Sequence, residues 1–234
     1  MERKVPFVED EYYHLYTRGV EKRNVFTDPG EYERFMSLLF LCNGDQSVRM
    51  RSLSRKGKSD QGEPLAHVFK VENRPEPAVD ILAYVLMPNH VHLLVREKKT
   101  GGISKFMLKL MTGYSMFFNT KHERSGPLFT RPFRSKHVDS DEYFHWVFAY
   151  ILLNPLELFQ RDWKESGIQN MTEAQKFMHE YRYSGFVDYF GKARPESAIV
   201  SPQSLPLEVQ ALQGLDELLD AFAHREPGNE HVFA

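Results

Sequence analysis

The sequence contains little that is typical of a secreted or membrane protein. Its one cysteine, Cys42, excludes an intrachain disulfide and fits a reducing compartment. There is no run of about eighteen apolar residues, and the first residues lack the apolar segment of a signal peptide. These absences predict a cytoplasmic protein that does not enter a membrane.

The chain also lacks a strong net charge of either sign. Its 30 Lys and Arg against 32 Asp and Glu give a net charge of -2, which argues against a simple polybasic protein. The charges are unevenly distributed, however. Residues 96–136 contain ten Lys or Arg and two Glu, whereas residues 191–234 contain three Lys or Arg and seven acidic residues. The basic middle is consistent either with a phosphate-rich partner or with a solvated charged face.

Hydrophobic patterning predicts alternating strands and helices. With 41% hydrophobic residues among 234, the chain can bury a sizeable core. Aromatic and β-branched runs predict strands at residues 12–18, 65–71, 79–87, 90–96 and 128–138. Apolar residues at helical spacing predict helices after Asp28, after Gly102, over residues 143–154, over part of 161–182 and over 207–222. Strands separated by two crossing helices favour an α+β, ferredoxin-like fold with a mostly antiparallel sheet.

Composition divides the chain into three parts. We expect a main domain at residues 8–160, a packing segment at 161–190, and an acidic, partly helical or flexible tail at 191–234. Residues 43–62 are rich in Gly, Ser, Arg and Lys, which predicts a basic loop insertion within the main domain.

The first candidate for chemistry is the sequence Met87-Pro88-Asn89-His90-Val91-His92. A Pro-Asn turn joins two predicted strands, and the second strand starts with two histidines at i and i+2. Because side chains alternate along a strand, both imidazoles point to one face and can bind one metal ion. The pair alone is a weak signal, since strand-end histidines with this spacing also arise by chance.

Four segments within residues 10–160 match, in order, the pattern of one known family. They are residues 18–26, the histidine strand at 87–95, Phe118-Asn119 with parts of 124–135, and Tyr150-Ile151-Leu152-Leu153-Asn154-Pro155. Together they resemble the HUH single-tyrosine transposases, especially the branch associated with repetitive extragenic palindromes. The resemblance implies a ferredoxin-like HUH domain that nicks and rejoins single-stranded or hairpin DNA in transposition and recombination, usually as a homodimer.

The resemblance also implies roles for individual residues. Tyr150 would attack a backbone phosphate and form a 5′-phosphotyrosine intermediate. His90, His92 and Asn154 would hold a divalent metal, Mg²⁺ or Mn²⁺. The chain departs from the family pattern at Arg131-Pro132, at residues 156–159 and in the length of the 43–62 insertion. These departures affect DNA specificity and the path after the last matching helix more than the chemistry.

The spacing of these residues is consistent with that chemistry. Tyr150 and Asn154 are one turn apart on one helix face, so both can reach a phosphate if the helix crosses the histidine strand. Two imidazoles and an amide oxygen leave positions for phosphate oxygen and water, and they suit Mn²⁺ or another transition ion as well as Mg²⁺. Alternatively, Tyr150 packs within an aromatic-rich helix and Asn154 is a C-cap before Pro155.

Several basic residues are candidate contacts for the DNA backbone: Arg18, Lys105, Lys109, Arg131, Arg134 and Lys136. Taken singly, each is equally consistent with ordinary surface charge. His14 and His137 could be further ligands or bases, although strand packing is the simpler interpretation for both.

Two other functions fit the same residues. One is a domesticated, non-cleaving nucleic-acid-binding protein of the same fold, whose acidic tail could mask the basic face. The other is a metal-dependent hydrolase of small phosphoesters, which would turn over a generic phosphodiester.

Overall fold

The computed structural model describes residues 6–44, 68–69, 76–130 and 132–223. Its first six main elements are β1 (Tyr12–Arg18), α1 (Pro29–Leu41), β2 (Val79–Met87), β3 (His90–Glu97), α2 (Gly102–Lys121) and β4 (Arg134–Val138). The four strands form one sheet in the order β2-β3-β1-β4, with every neighbouring pair antiparallel. This is a ferredoxin-like βαββαβ arrangement, and the predicted α+β class is confirmed.

Local sequence signals account for where these elements begin. The carboxylate of Asp28 accepts a hydrogen bond from the backbone N–H of Glu31 at 3.2 Å, and Pro29 is the first residue of α1. Every residue of β2 is buried, which matches its uninterrupted apolar sequence. Such a strand needs cover on both faces of the sheet.

The two faces of the sheet are covered by different helices. Helices α1 and α2 cover one face, where Leu15, Val91 and Leu93 join the core. Helix α3 (Asp141–Leu153) covers the other face, where it packs in one core with Leu94 of β3. Because side chains alternate along a strand, His92 lies on the same side as Leu94 and faces α3.

Helix α3 is apolar almost all the way round its circumference. Ten of its thirteen residues are buried, a pattern typical of a helix enclosed on all sides. A mainly helical C-terminal extension provides the outer cover, as predicted. Its helices are α4 (Leu156–Phe159), α5 (Trp163–Ser166), α6 (Met171–Glu180), α7 (Phe186–Phe190), α8 (Leu207–Gln210) and α9 (Leu215–Ala223).

The extension also runs along the outer edge of β2. The backbone N–H of Leu86 donates to the carbonyl of Tyr183 at 2.9 Å, and the ring of Tyr183 stacks on Tyr32 at 4.0 Å. Arg194 Nε donates to the buried carboxylate of Asp188 at 2.7 Å. The Tyr84 hydroxyl of β2 donates to the same carboxylate at 2.9 Å. This bond and the backbone bonds hold the extension against an edge strand that would otherwise expose its hydrogen-bonding groups.

Three sequence predictions need correction within the described residues. The predicted strand at 128–138 forms only at Arg134–Val138, after Pro132, which cannot donate a backbone hydrogen bond. The predicted helix at 207–222 is two helices, α8 and α9, separated by residues 211–214, which end in a glycine. Val68 and Phe69, from the predicted strand at 65–71, form a helical turn. Most of the predicted loop insertion, residues 45–62, lies outside the described residues.

No helix in the described part of the chain is long and apolar enough to cross a membrane.

Candidate active site

The two predicted histidines lie at the start of β3, directly after the Pro88-Asn89 turn. In the sheet, His90 is opposite Arg18 and His92 is opposite Tyr16 of β1. The imidazole centroids of His90 and His92 are 5.1 Å apart, with ring planes at 89°. Both side chains point to the α3 side, as the i, i+2 spacing predicts.

Helix α3 brings Tyr150 to the histidines within one chain. Its ring centroid is 5.4 Å from that of His92 and 6.1 Å from that of His14. Asn154, the C-cap of α3, follows one turn later and is fully buried. Its amide oxygen and nitrogen make no hydrogen bond among the described residues, yet the amide is close enough to influence the pKa values of His90 and Tyr150.

Burial keeps the two histidines neutral. It lowers the pKa of His90 to about 4, helped by the charge of Arg18. Burial also holds the pKa of His92 well below its usual range. Asn89 Oδ1 is 2.6 Å from His90 Nδ1 and accepts a hydrogen bond from its N–H, which leaves a lone pair on His90 Nε2. A neutral imidazole oriented through its second nitrogen is the form that binds a metal.

His14 is hydrogen-bonded to His92, a role that sequence analysis did not find. His14 Nε2 is 2.9 Å from His92 Nδ1, and the two buried rings stack with centroids 5.1 Å apart. Burial, with a smaller effect from Lys136, lowers the pKa of His14 to about 3. One of these nitrogens donates to the other, and when His92 donates, its Nε2 lone pair becomes available. The strand packing expected for His14 is therefore only part of its role.

The available donors fit a small divalent cation. No group of three His, Cys, Asp or Glu side chains in the described ranges could hold a metal ion. A metal at this site would therefore bind the imidazoles of His90 and His92 with an oxygen from another residue type. The unpartnered amide oxygen of Asn154 meets that requirement. Nitrogen donors together with a neutral oxygen suit Mn²⁺ or a similar transition ion better than an all-oxygen site would.

Tyr150 is enclosed, and its hydroxyl is protonated at neutral pH. The residue is 8% exposed, and its ring stacks on Trp146 with centroids 5.1 Å apart. Burial raises its pKa above the ordinary value, Glu157 raises it further, and Asn154 and Arg18 act in the opposite direction. A nucleophilic role would require nearby positive charge to stabilise the oxygen as its proton leaves.

The predicted DNA-contacting residues do not all lie together. Arg18 is beside His90, and Lys136 and Arg134 are on β4 opposite His14 and Tyr16. Lys105 and Lys109 lie on α2, across the sheet from the histidines, and Lys109 Nζ donates to the carbonyl of Gly44. Arg131 lies outside the described residues.

The structure also places two charged residues of the extension beside Tyr150. Lys164 Nζ lies 5.2 Å from the centroid of the Tyr150 ring and 2.5 Å from Glu157 Oε1. Neither residue was a sequence candidate. In the sequence, Glu157 and Lys164 are marked only by following closely after Asn154. The direction of their side chains depends on the turns between α4 and α5.

One family model matches part of the chain. The sequence model for "Transposase IS200 like" matches residues 62–153, a segment that contains His90, His92 and Tyr150. The likeness to the IS200-like transposases is shown for this segment of the chain. The matched segment ends one residue before Asn154, so it includes neither Asn154 nor Lys164.

Other comparisons add less. No curated protein matches the chain. Among solved structures, the chain resembles one described as the REP-associated tyrosine transposase bound to a REP hairpin. The sequence identity is 11% and the TM-score 0.43, over 80% of this chain and 82% of that chain.

Proposed function

We propose that this protein is a transposase-like enzyme that nicks and rejoins single-stranded or hairpin DNA, with Tyr150 as the nucleophile. The supporting observation is the meeting of Tyr150 and His92, 5.4 Å apart between ring centroids, within one chain. The residues come from α3 and β3, which are far apart in sequence. The match of residues 62–153 to the IS200-like transposase model supports DNA as the substrate.

The proposed reaction conserves the phosphodiester. The hydroxyl oxygen of Tyr150 attacks a backbone phosphorus, and a P–O bond to tyrosine forms as the bond from phosphorus to the 3′ oxygen breaks. The 5′ side of the DNA remains as a phosphotyrosine, and the leaving oxygen becomes a free 3′ hydroxyl. Tyrosine releases one proton and the 3′ oxygen takes up one, so the step needs no other reactant. Rejoining is the same exchange in reverse.

His90, His92 and Asn154 are the proposed metal ligands. A bound divalent ion, Mn²⁺ or Mg²⁺, would supply positive charge to a phosphate oxygen and orient it for in-line attack. Asn89 and His14 hold the imidazoles of His90 and His92 through their Nδ1 atoms, so the Nε2 atoms would be the ones to bind the ion. Preorganised ligands of this kind reduce the cost of assembling the site.

We propose that the DNA backbone contacts Arg18, Arg134 and Lys136, which lie on neighbouring strands at the site. Arg131, three residues before Arg134 in the sequence, is proposed as a further contact. Lys105 and Lys109 would contact a more distant part of the DNA, because α2 is across the sheet. We further propose a cytoplasmic homodimer with the domain division at residues 8–160, 161–190 and 191–234. Tyr150 lies beside the histidines of its own chain, so the proposed site needs no tyrosine from a second subunit.

The decisive experiment is detection of the covalent intermediate. Incubation with single-stranded hairpin DNA and Mn²⁺ should give a protein–DNA adduct that survives denaturing electrophoresis. Tyr150→Phe should abolish it. Tyr143→Phe is the matched control, because Tyr143 is also buried on α3 but lies under Lys136 Nζ, 4.4 Å from its ring centroid. An equal adduct yield from the Tyr150→Phe protein would overturn the assignment.

The same experiment separates the alternative functions. Hairpin binding without a metal, and no adduct with any ion, would favour a domesticated, non-cleaving binding protein. Turnover of a generic small phosphodiester, unchanged in Tyr150→Phe, would favour a metal-dependent hydrolase.

A further inference from the structure

Lys164 is held beside the active-site helix by buried aromatic packing. Its neighbour Trp163 is 4% exposed and lies 5.2 Å from Phe222 of α9 between ring centroids. Phe222 in turn stacks on Trp146 at 5.8 Å, and Trp146 stacks on Tyr150. The backbone of Lys164 is therefore fixed relative to the tyrosine, unlike that of a lysine on a free surface loop.

The side chain of Lys164 is directed at the site. Its ammonium is 5.2 Å from the ring centroid of Tyr150, and its charge contributes to the lowered pKa values of His90 and His92. Its present partner is Glu157, at 2.5 Å. The two side chains are 31% and 34% exposed, so an incoming anion can reach Lys164 and replace the carboxylate.

A second cation approaches the site from the sheet. Arg18 is opposite His90 in β1, and its Nε is buried with no hydrogen-bond partner within the described ranges. A buried donor without a partner is costly unless a ligand satisfies it. Arg18 and Lys164 therefore supply positive charge to the Tyr150 site from the sheet and from the C-terminal extension respectively.

We propose that Lys164 binds the DNA phosphodiester that Tyr150 attacks, together with Arg18. This inference rests on the proposed function and extends the site beyond the segment that matches the family model. A phosphate is negatively charged and can pair with both the Lys164 ammonium and the Arg18 guanidinium. Charge-assisted hydrogen bonds to phosphate are among the stronger contacts in proteins. In the absence of DNA, Glu157 neutralises Lys164. When DNA binds, the phosphate displaces Glu157, and a phosphate oxygen accepts a hydrogen bond from the Lys164 ammonium.

The contrasting interpretation is a surface ion pair between Lys164 and Glu157 that only links α4 to α5. Such a pair contributes little to stability and has no role in binding. The two interpretations differ in the salt dependence of DNA binding. Affinity falls as salt rises, and each phosphate contact to single-stranded DNA contributes about -0.7 to the slope of log affinity against log salt concentration.

The test measures this slope in the Tyr150→Phe protein, which binds without forming an adduct. Binding of single-stranded hairpin DNA is followed by fluorescence anisotropy over a range of KCl concentrations. Adding Lys164→Gln should make the negative slope shallower by about 0.7 and weaken binding about tenfold, whereas Lys164→Arg should retain most of the slope and of the affinity. Lys176→Gln is the matched control, because Lys176 is an exposed lysine of α6 that also pairs with a glutamate, Glu180, at 3.9 Å. Its slope should match the parent.

A second measurement follows adduct formation in a single turnover at saturating DNA, with Tyr150 intact. Lys164→Gln should slow it about tenfold or more, while thermal unfolding of the variant stays close to wild type. A slope and an adduct rate equal to those of Lys176→Gln would overturn the role of Lys164 and leave the proposed function in place. If the parent proteins neither bind hairpin DNA nor form an adduct, the proposed function itself fails, and this inference fails with it.

Discussion

Acid should destabilise this protein through its buried histidines, and His14 allows the effect to be isolated. Burial, with a smaller effect from Lys136, lowers the pKa of His14 from an ordinary value near 6.5 to about 3. The unfolded chain therefore takes up a proton at a pH where the folded protein does not. The stability contributed by neutral His14 is present above about pH 6.5 and is lost progressively as the pH falls toward 3.

The size of the effect follows from that shift. Between pH 7 and pH 5 the unfolded state becomes almost fully protonated at this histidine, whereas the folded state does not. Because protons bind the unfolded state preferentially, the free energy of unfolding falls by about 2 kcal/mol for His14 alone. His14 is fully buried, so little screening by solvent reduces this figure. The perturbation is His14→Phe, which keeps an aromatic ring against His92 and removes the titrating group.

The assay is urea unfolding at pH 7, 6 and 5 with metal chelated. His14→Phe will cost stability at pH 7, because it breaks the hydrogen bond to His92 Nδ1. The stability gap between wild type and variant should then close by about 2 kcal/mol by pH 5. His179→Gln, at an exposed position on α6, should run parallel to wild type throughout. Parallel curves for wild type and His14→Phe would refute the assignment of a buried, neutral His14.

Two further predictions concern the metal and the extension. Mn²⁺ at a hundredfold excess over its Kd should raise the free energy of unfolding by about 2.7 kcal/mol. EDTA or Asn154→Ala should remove that gain in a thermal-shift measurement, and an equal gain in Asn154→Ala would exclude its amide oxygen as a ligand. Arg194→Ala should cost about 3 kcal/mol or more in urea unfolding, because it strands the buried carboxylate of Asp188. Adding Asp188→Asn should recover part of the loss, and a mild effect of Arg194→Ala would mean that water reaches the carboxylate.

Much of the fold could be read from local patterns. The strands at Tyr12–Arg18 and Val79–Met87 have the predicted bounds, and α1 begins at its Asp-Pro signal. Predictions were wrong where local pattern and three-dimensional context disagree. The apolar run before Pro132 makes only an isolated bridge, between Phe129 and Gly19, and forms no strand. The acidic amphipathic pattern at residues 207–222 is interrupted before α9. The order of the strands depends on pairing between distant segments, which periodicity does not encode.

For the active site, the sequence by itself determined which side chains share a face. A period of two places His90 and His92 on one side of β3, and a helical turn places Tyr150 above Asn154. Only the tertiary structure decided that these two faces meet. It also brought His14 to His92 through the register of β1 on β3, and Lys164 to Tyr150 through the packing of Trp163 and Phe222. Spacing along the chain specifies direction within one element, whereas contact between elements depends on how their buried surfaces pack.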